Sequence, residues 1–226
     1  MTNLKRALLS YITESLPLSI VCTLRHQQEY QSTWRLLVAM PDDIQASIQQ
    51  RQNEYVRGRI CAADALFQLG SGQLNVGRDK QYAPLWPAGT VGSISHNNHW
   101  VIACVAWQQE YIALGIDIET RINTDFLDAM RQYIYTQDEL ALLQQAGFDE
   151  LTAITILFSI KESTIKSLSP QHITINKFTD IQVIQVNGSQ LTIDLKQKTP
   201  HFHKRLTGRF WIHEETIVTL VIDKVN

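Results

Sequence analysis

The chain has few cysteines, almost no net charge and no long apolar run, and each shortage excludes something. Its three cysteines, Cys22, Cys61 and Cys104, lie far apart with no C-x-x-C spacing. That argues against a disulfide framework or a cysteine-ligated zinc and fits a reducing cytoplasm. Twenty Lys and Arg stand against 22 Asp and Glu, a net charge of −2, so no basic excess points to nucleic acid. The apolar stretch behind Lys5 and Arg6 is interrupted by Ser10, Thr13 and Glu14, well short of a signal-peptide core. Nowhere does the chain approach the roughly 18 uninterrupted apolar residues of a membrane span, so no membrane insertion is expected. G-x-x-x-x-G-K-[ST] and G-x-G-x-x-G are both absent, which excludes the two glycine-rich phosphate cradles. Without G-x-S-x-G or H-E-x-x-H, serine-hydrolase and zincin readings have no support either.

What is present is an order of elements. Leu4, Leu8, Tyr11 and Ile12 recur at helical spacing, Leu18–Leu24 reads as a strand, and Pro41–Leu69 reads as a helix closing on Gly70. Gly92–His96, Trp100–Trp107 and Tyr111–Glu119 then read as an antiparallel meander. Helical pattern returns over Thr124–Gln145 and Asp149–Leu168, stopped by Pro170. Ile173–Ile175, Phe178–Val186, Leu191–Lys196, Leu206–His213 and Thr216–Val225 alternate as strands, with Asn187-Gly188 as a hairpin turn. The layout of helix then antiparallel strands thus occurs twice, which predicts an α+β fold of two similar lobes, residues 1–115 and 116–226. The first lobe carries nine basic and eight acidic residues, the second 11 and 14. One lobe therefore suits an anion and the other a cation.

Four local features carry chemistry. Gly115-Ile116-Asp117-Ile118-Glu119 ends an apolar strand with two carboxylates on one face. Their Cα atoms would be roughly 6.6 Å apart, within reach of one hard cation; a strand end running into solvent has the same pattern. Phe158-Ser159-Ile160-Lys161-Glu162-Ser163-Thr164-Ile165-Lys166 places Glu162 and Lys166 one helical turn apart at the border of an apolar face, where the pair is either a solvated bridge or a charge needing a partner or metal. Ser95 and His96 leave a strand together and can both donate to a phosphate, or simply hold a turn. Arg51 and Arg59, eight residues apart, project along nearly one line of a helix, a stripe suited to a phosphorylated ligand or to solvent. Arg78 and Lys80 add charge in a following loop. No helix brings His96, His99, His201, His203 and His213 into register as zinc ligands.

Taken in this order, the four features, together with the Pro84-x-Trp86-Pro87-x-Gly89-x-x-Gly92-Ser93-Ile94-Ser95-His96 block, resemble the Sfp-type 4′-phosphopantetheinyl transferases, in the subgroup of enterobactin synthetase component D. The resemblance runs from about Arg51 to Leu168. It implies a pseudo-dimer of two α+β lobes, each an antiparallel sheet with a packed helix, with coenzyme A in the cleft between them. It also implies Mg²⁺-dependent transfer of the phosphopantetheine arm to a serine of an apo acyl, aryl or peptidyl carrier protein of siderophore, nonribosomal peptide or polyketide synthesis. By resemblance, Asp117, Glu119 and Glu162 are the metal ligands, Lys166 touches the diphosphate, and Glu162 accepts the serine proton. Arg51, Arg59, Ser95 and His96 hold the nucleotide and its 3′-phosphate, completed by Lys80 or Arg78, with Lys80 preferred. The family usually has an aromatic residue where this chain has Ile165, which bears on the pantetheine or carrier contact. A monomer is expected from the internal two-lobe layout. The alternatives are a non-catalytic coenzyme A- or carrier-binding protein, which has no reason to keep three carboxylates and Lys166, and a metal-dependent nucleotide phosphohydrolase using the same carboxylates.

Overall fold

The computed structural model describes residues 2–80, 82–124, 133–196 and 203–225. The chain divides into two compact units, Met1–Ile112 with Val225, and Ala113–Lys224. The division falls inside one strand.

In the first unit, α1 (Thr2–Thr13), β1 (Ile20–His26), α2 (Asp42–Gln45), α3 (Gln49–Leu69), β2 (Gly77–Arg78), β3 (Pro84–Leu85), β4 (Thr90–His96) and β5 (Trp100–Trp107) follow in order. β1, β5 and β4 form an antiparallel sheet in that order, and β2 pairs with β3. Alternation along β5 sends Val101, Ala103 and Val105 toward Cys61, Ala62, Ala65 and Leu66 of α3, which form one buried cluster. The expected helix over Pro41–Leu69 is broken: Ala46 caps α2, Ser47 Oγ donates back to the Ile44 carbonyl, and Ile48 turns extended ahead of α3. Gly70, at φ 83°, ends α3 in the left-handed conformation that glycine takes at no steric cost.

One expectation is overturned in this sheet. The β1–β5 register sets Cys22 directly opposite Cys104, with Cα atoms 4.3 Å apart, and the two form a disulfide. That spacing is of the close, non-hydrogen-bonded kind in which facing side chains meet. Eighty-two residues of sequence separation carry no trace of the register. Cys61 stays free and buried on the α3 side, its thiol pushed up to about 12 by burial.

In the second unit β6 (Tyr111–Thr120) leads into α4 (Gln137–Gln145), α5 (Glu150–Leu168), β7 (Ile181–Asn187), β8 (Gln190–Lys196), β9 (His203–His213) and β10 (Thr216–Lys224). The sheet order is β6-β10-β9-β8-β7, so the last strand returns to lie beside the first. The two units share an α+β plan of antiparallel sheet and packed helix. Ile154, Leu157 and Ile160 of α5 pack into a core with Leu143, Ile193, Leu206 and Ile217.

Of the helix expected over Thr124–Gln145, residues 125–132 lie outside the described set. The remainder is helical only from Gln137, where Thr136 and Glu139 form a reciprocal capping box. Ile173–Ile175 is not a strand, and Phe178–Asp180 is a 3₁₀ turn that precedes β7.

Candidate active site

The approach of α5 to β6 builds the second unit's site, and Gly115 permits it. A Cβ there would overlap the Ser163 carbonyl and lie 2.7 Å from the Ser167 amide nitrogen. With hydrogen in that place, the helix backbone rests on the strand two residues before Asp117. This gives the Gly-x-Asp-x-Glu pattern its physical reason: the glycine seats the helix and the carboxylates face it.

Asp117 is only 2% exposed. Its Oδ1 accepts from Lys166 Nζ at 2.6 Å and its Oδ2 from Ser159 Oγ at 2.8 Å. Lys166 therefore reaches across to β6. Glu119, half-buried two residues further along the same face, has its carboxyl pushed up to about 8, first by burial and then by the Asp117 charge, with Lys166 opposing. Burial, reinforced by Asp117, also raises Glu162, and Lys166 again opposes. Three carboxylates and one ammonium thus share one electrostatic environment short of positive charge. Among the described residues, no three His, Cys, Asp or Glu side chains are already arranged around a metal position.

Lys161, next to Glu162 in sequence, faces the opposite way. It is fully buried, donates to the Ile134 carbonyl at 2.7 Å and pairs with Glu139 at 2.7 Å.

The first unit holds a separate open pocket of about 350 Å³, lined by Arg51, Arg59, Arg78 and His96 with Asp43, Glu54, Tyr55 and Tyr82 among others. Arg78 pairs with Asp43 at 2.5 Å and stacks over Tyr82; Arg59 stacks over Tyr55, its centre 4.4 Å from the ring, and donates to the Gly77 carbonyl. Arg51 and His96 both lie near Glu54, at 3.5 and 3.9 Å. Burial lowers the Arg59 pKa, and its Nε is buried without a hydrogen-bond partner. The set is a cluster of cations preorganised by local carboxylates and aromatic faces, able to exchange those carboxylates for phosphate oxygens. A larger cavity of about 820 Å³ shares only Arg59 with it, and two of that cavity's polar groups, Arg25 and Asp64, are paired with each other.

Arg51, Arg59 and His96 line one pocket. Arg78 lines it as well; Lys80 is exposed and outside the lining. Ser95 is buried on the alternate face of β4, also outside the lining. No simple signal separated Arg78 from Lys80, since only the β2–β3 pairing, Arg78 opposite Pro84, fixes which cation turns inward.

A cationic pocket in one α+β unit and a carboxylate–lysine site in the other are the two candidate sites of an α+β protein of two units. Comparison makes the class specific. The 4′-phosphopantetheinyl transferase N-terminal domain model matches residues 40–106, and the 4′-phosphopantetheinyl transferase superfamily model matches residues 113–221. Enterobactin synthase component D of Escherichia coli strain K12 is 32% identical over 179 residues, covering 78% of this chain and 80% of that protein. The same component of Salmonella typhimurium is 29% identical over 185 residues, covering 80% and 75%. A 4′-phosphopantetheinyl transferase of Mycobacterium tuberculosis is 32% identical over 139 residues, covering 59% and 60%. Against the Salmonella typhi component D the match spans 63% of that protein. The chain belongs to the 4′-phosphopantetheinyl transferase superfamily. Among the described residues no helix is long and apolar enough to cross a membrane.

Proposed function

We propose that this chain transfers the 4′-phosphopantetheine arm of coenzyme A to a serine hydroxyl of an apo carrier protein, releasing 3′,5′-ADP. The observation that carries the reading is the gathering of Asp117, Glu119, Glu162 and Lys166 where α5 rests on β6, in a chain of this family. The carriers are acyl, aryl or peptidyl domains of siderophore, nonribosomal peptide or polyketide synthesis.

The donor set fits Mg²⁺. It offers hard carboxylate oxygens, and burial together with the charge on Asp117 holds both glutamates above their usual range, as expected of a site that lacks a counter-charge. Asp117, Glu119 and Glu162 would hold the ion, which when bound supplies neutralisation of the diphosphate and polarisation of the phosphorus under attack. Lys166 would exchange its bond to Asp117 for diphosphate oxygens and stabilise the charge on departing 3′,5′-ADP. Glu162, made more basic by burial, would accept the proton that the carrier serine loses as its oxygen bonds to phosphorus. Arg51, Arg59, Arg78 and His96 would hold the nucleotide and its 3′-phosphate, releasing Asp43 and Glu54 to water.

The test is intact mass of a purified apo carrier incubated with the protein, coenzyme A and Mg²⁺. The expected gain is one phosphopantetheine, absent when the metal is chelated. No gain on several carriers, with coenzyme A still bound, would replace transfer by a binding role.

Two further results are expected. Arg51→Ala should raise KM for coenzyme A about tenfold with kcat nearly unchanged, and 3′-dephospho-coenzyme A, already lacking that phosphate, should show a smaller difference. The second concerns protons. With its carboxyl near 8, Glu119 is largely protonated at pH 7 in the metal-free protein. A coordinating carboxylate must be ionised, so cation binding should release close to one proton at pH 7 and tighten by up to tenfold per pH unit toward pH 8. Folded-state protonation also stabilises the metal-free protein below the ordinary value of 4.5, a contribution lost as pH rises through about 8. Calorimetry in buffers of different ionisation enthalpy reads the proton release, which Glu119→Gln should abolish.

A further inference from the structure

Behind Asp117 lies a row of hydroxyls that the transfer reading leaves unused. Ser159 Oγ donates to Asp117 Oδ2 at 2.8 Å, Thr219 Oγ1 lies 2.9 Å from Ser159 Oγ, and Ser163 Oγ lies 2.7 Å from Thr219 Oγ1. All three hydroxyl residues are fully buried. Their behaviour sets them apart on α5. Three other buried hydroxyls of that helix bond back to its own carbonyls, Thr155 to Leu151, Thr164 to Ile160 and Ser167 to Thr164, each at 2.7 Å, while Thr152 at its start donates to the capping Asp149 carboxylate. Ser159 and Ser163 turn outward to the sheet instead. Thr219 sits in β10 among Ile217, Val218, Leu220 and Val221, all fully buried, where an isosteric valine would serve packing equally well.

Counting hydrogens gives the row a direction. A carboxylate only accepts, so the Ser159 hydrogen lies on Asp117. Ser159 can then only accept from Thr219 at 2.9 Å, and with that hydrogen committed the 2.7 Å contact is filled by the hydrogen of Ser163. Ser163 Oγ also donates to the Thr219 carbonyl at 3.0 Å, so three hydroxyl hydrogens serve four contacts in this row. The arrangement that fills the three side-chain contacts runs Ser163 to Thr219 to Ser159 to Asp117, the hydroxyl dipoles pointing their positive ends toward the carboxylate. Aligned dipoles in a buried chain reinforce one another.

We infer that Thr219 is a positioning residue: through Ser159 it fixes the rotation of the Asp117 carboxylate, committing Oδ2 to the protein and presenting Oδ1 to Lys166 and the ligand. The inference rests on Asp117 belonging to the reacting site, as proposed above.

Thr219→Val keeps the shape and removes the hydroxyl; Thr219→Ser keeps the hydroxyl and removes a methyl group. Binding of Mn²⁺ in the presence of coenzyme A, followed by electron paramagnetic resonance of the free ion, should weaken in Thr219→Val by about 10- to 100-fold, the usual range for a partner that orients a metal ligand. Thr219→Ser should recover most of that affinity, and kcat measured at low Mg²⁺ should fall and recover in parallel. Asp117→Ala separates the two ideas. If it destroys Mn²⁺ binding and transfer while Thr219→Val matches wild type in both, the positioning role is overturned and the site stands. Equal losses in Thr219→Val and Thr219→Ser would also overturn it, since packing alone would then be responsible. If Asp117→Ala leaves binding and transfer intact, the site assignment fails and the inference falls with it.

Discussion

Glu162→Ala is expected to lower carrier modification by about 10²- to 10⁴-fold, the range that removal of a positioned general base commands. Two losses combine in it. The carrier serine enters with its proton, and in the proposed mechanism Glu162, whose pKa burial and the Asp117 charge raise, takes it. The same side chain would supply one of three metal donors. Glu162→Gln separates these roles, because a carboxamide oxygen still donates a lone pair to a hard cation but takes no proton at neutral pH. Single-turnover rates read by intact mass at saturating Mg²⁺ should therefore remain low for Gln, while Mn²⁺ affinity falls less than in the alanine variant. Near wild-type turnover in Glu162→Gln would assign the proton to another acceptor.

The second unit's site was legible because its parts are local. Gly115, Asp117 and Glu119 lie within one strand, where period two alone places them on one face, and Glu162 and Lys166 within one helical turn. The doubled α+β layout was legible for the same reason, since each helix and hairpin announces itself by its own period and turn residues. What escaped the sequence is pairing over distance. Glu162 and Lys166 invite reading as an i, i+4 bridge, yet Lys166 crosses 49 residues of sequence to Asp117. Cys22 meets Cys104 only through strand register. Thr219 looks like any threonine of an alternating strand until β10 returns beside β6 and brings its hydroxyl to α5. The break at Ala46 to Ile48 and the loss of a strand at Ile173–Ile175 show the same limit from the other side: apolar periodicity continues through both, and local caps and turns decide.

Lys161→Ala should cost about 3–5 kcal/mol of folding stability, the penalty for stripping one partner from a buried ion pair. Lys161 was legible only as part of a motif; its partner, Glu139, opens α4 and is 2% exposed. That carboxylate also accepts from the backbone nitrogens of Val183 and Thr136, so it cannot turn to water when the ammonium is lost, and the Ile134 carbonyl loses its donor at the same time. Burial lowers the pKa of Lys161 while Glu139 holds it up, so the pair survives as a unit or not at all. Unfolding in urea should place Lys161→Met close to Lys161→Ala, because filling the volume does not pair the carboxylate. Adding Glu139→Gln to Lys161→Met should return much of the loss, since the carboxamide oxygen still accepts from Val183 and no charge remains to be compensated. If the double variant is as unstable as the sum of the singles, the two side chains act independently and the pair is not what anchors this part of α5. The consequence for the site follows from helix geometry: Lys161 and Glu162 are adjacent, one turned into the core and one toward Asp117, so the ion pair that locks the first sets the angle at which the second is presented.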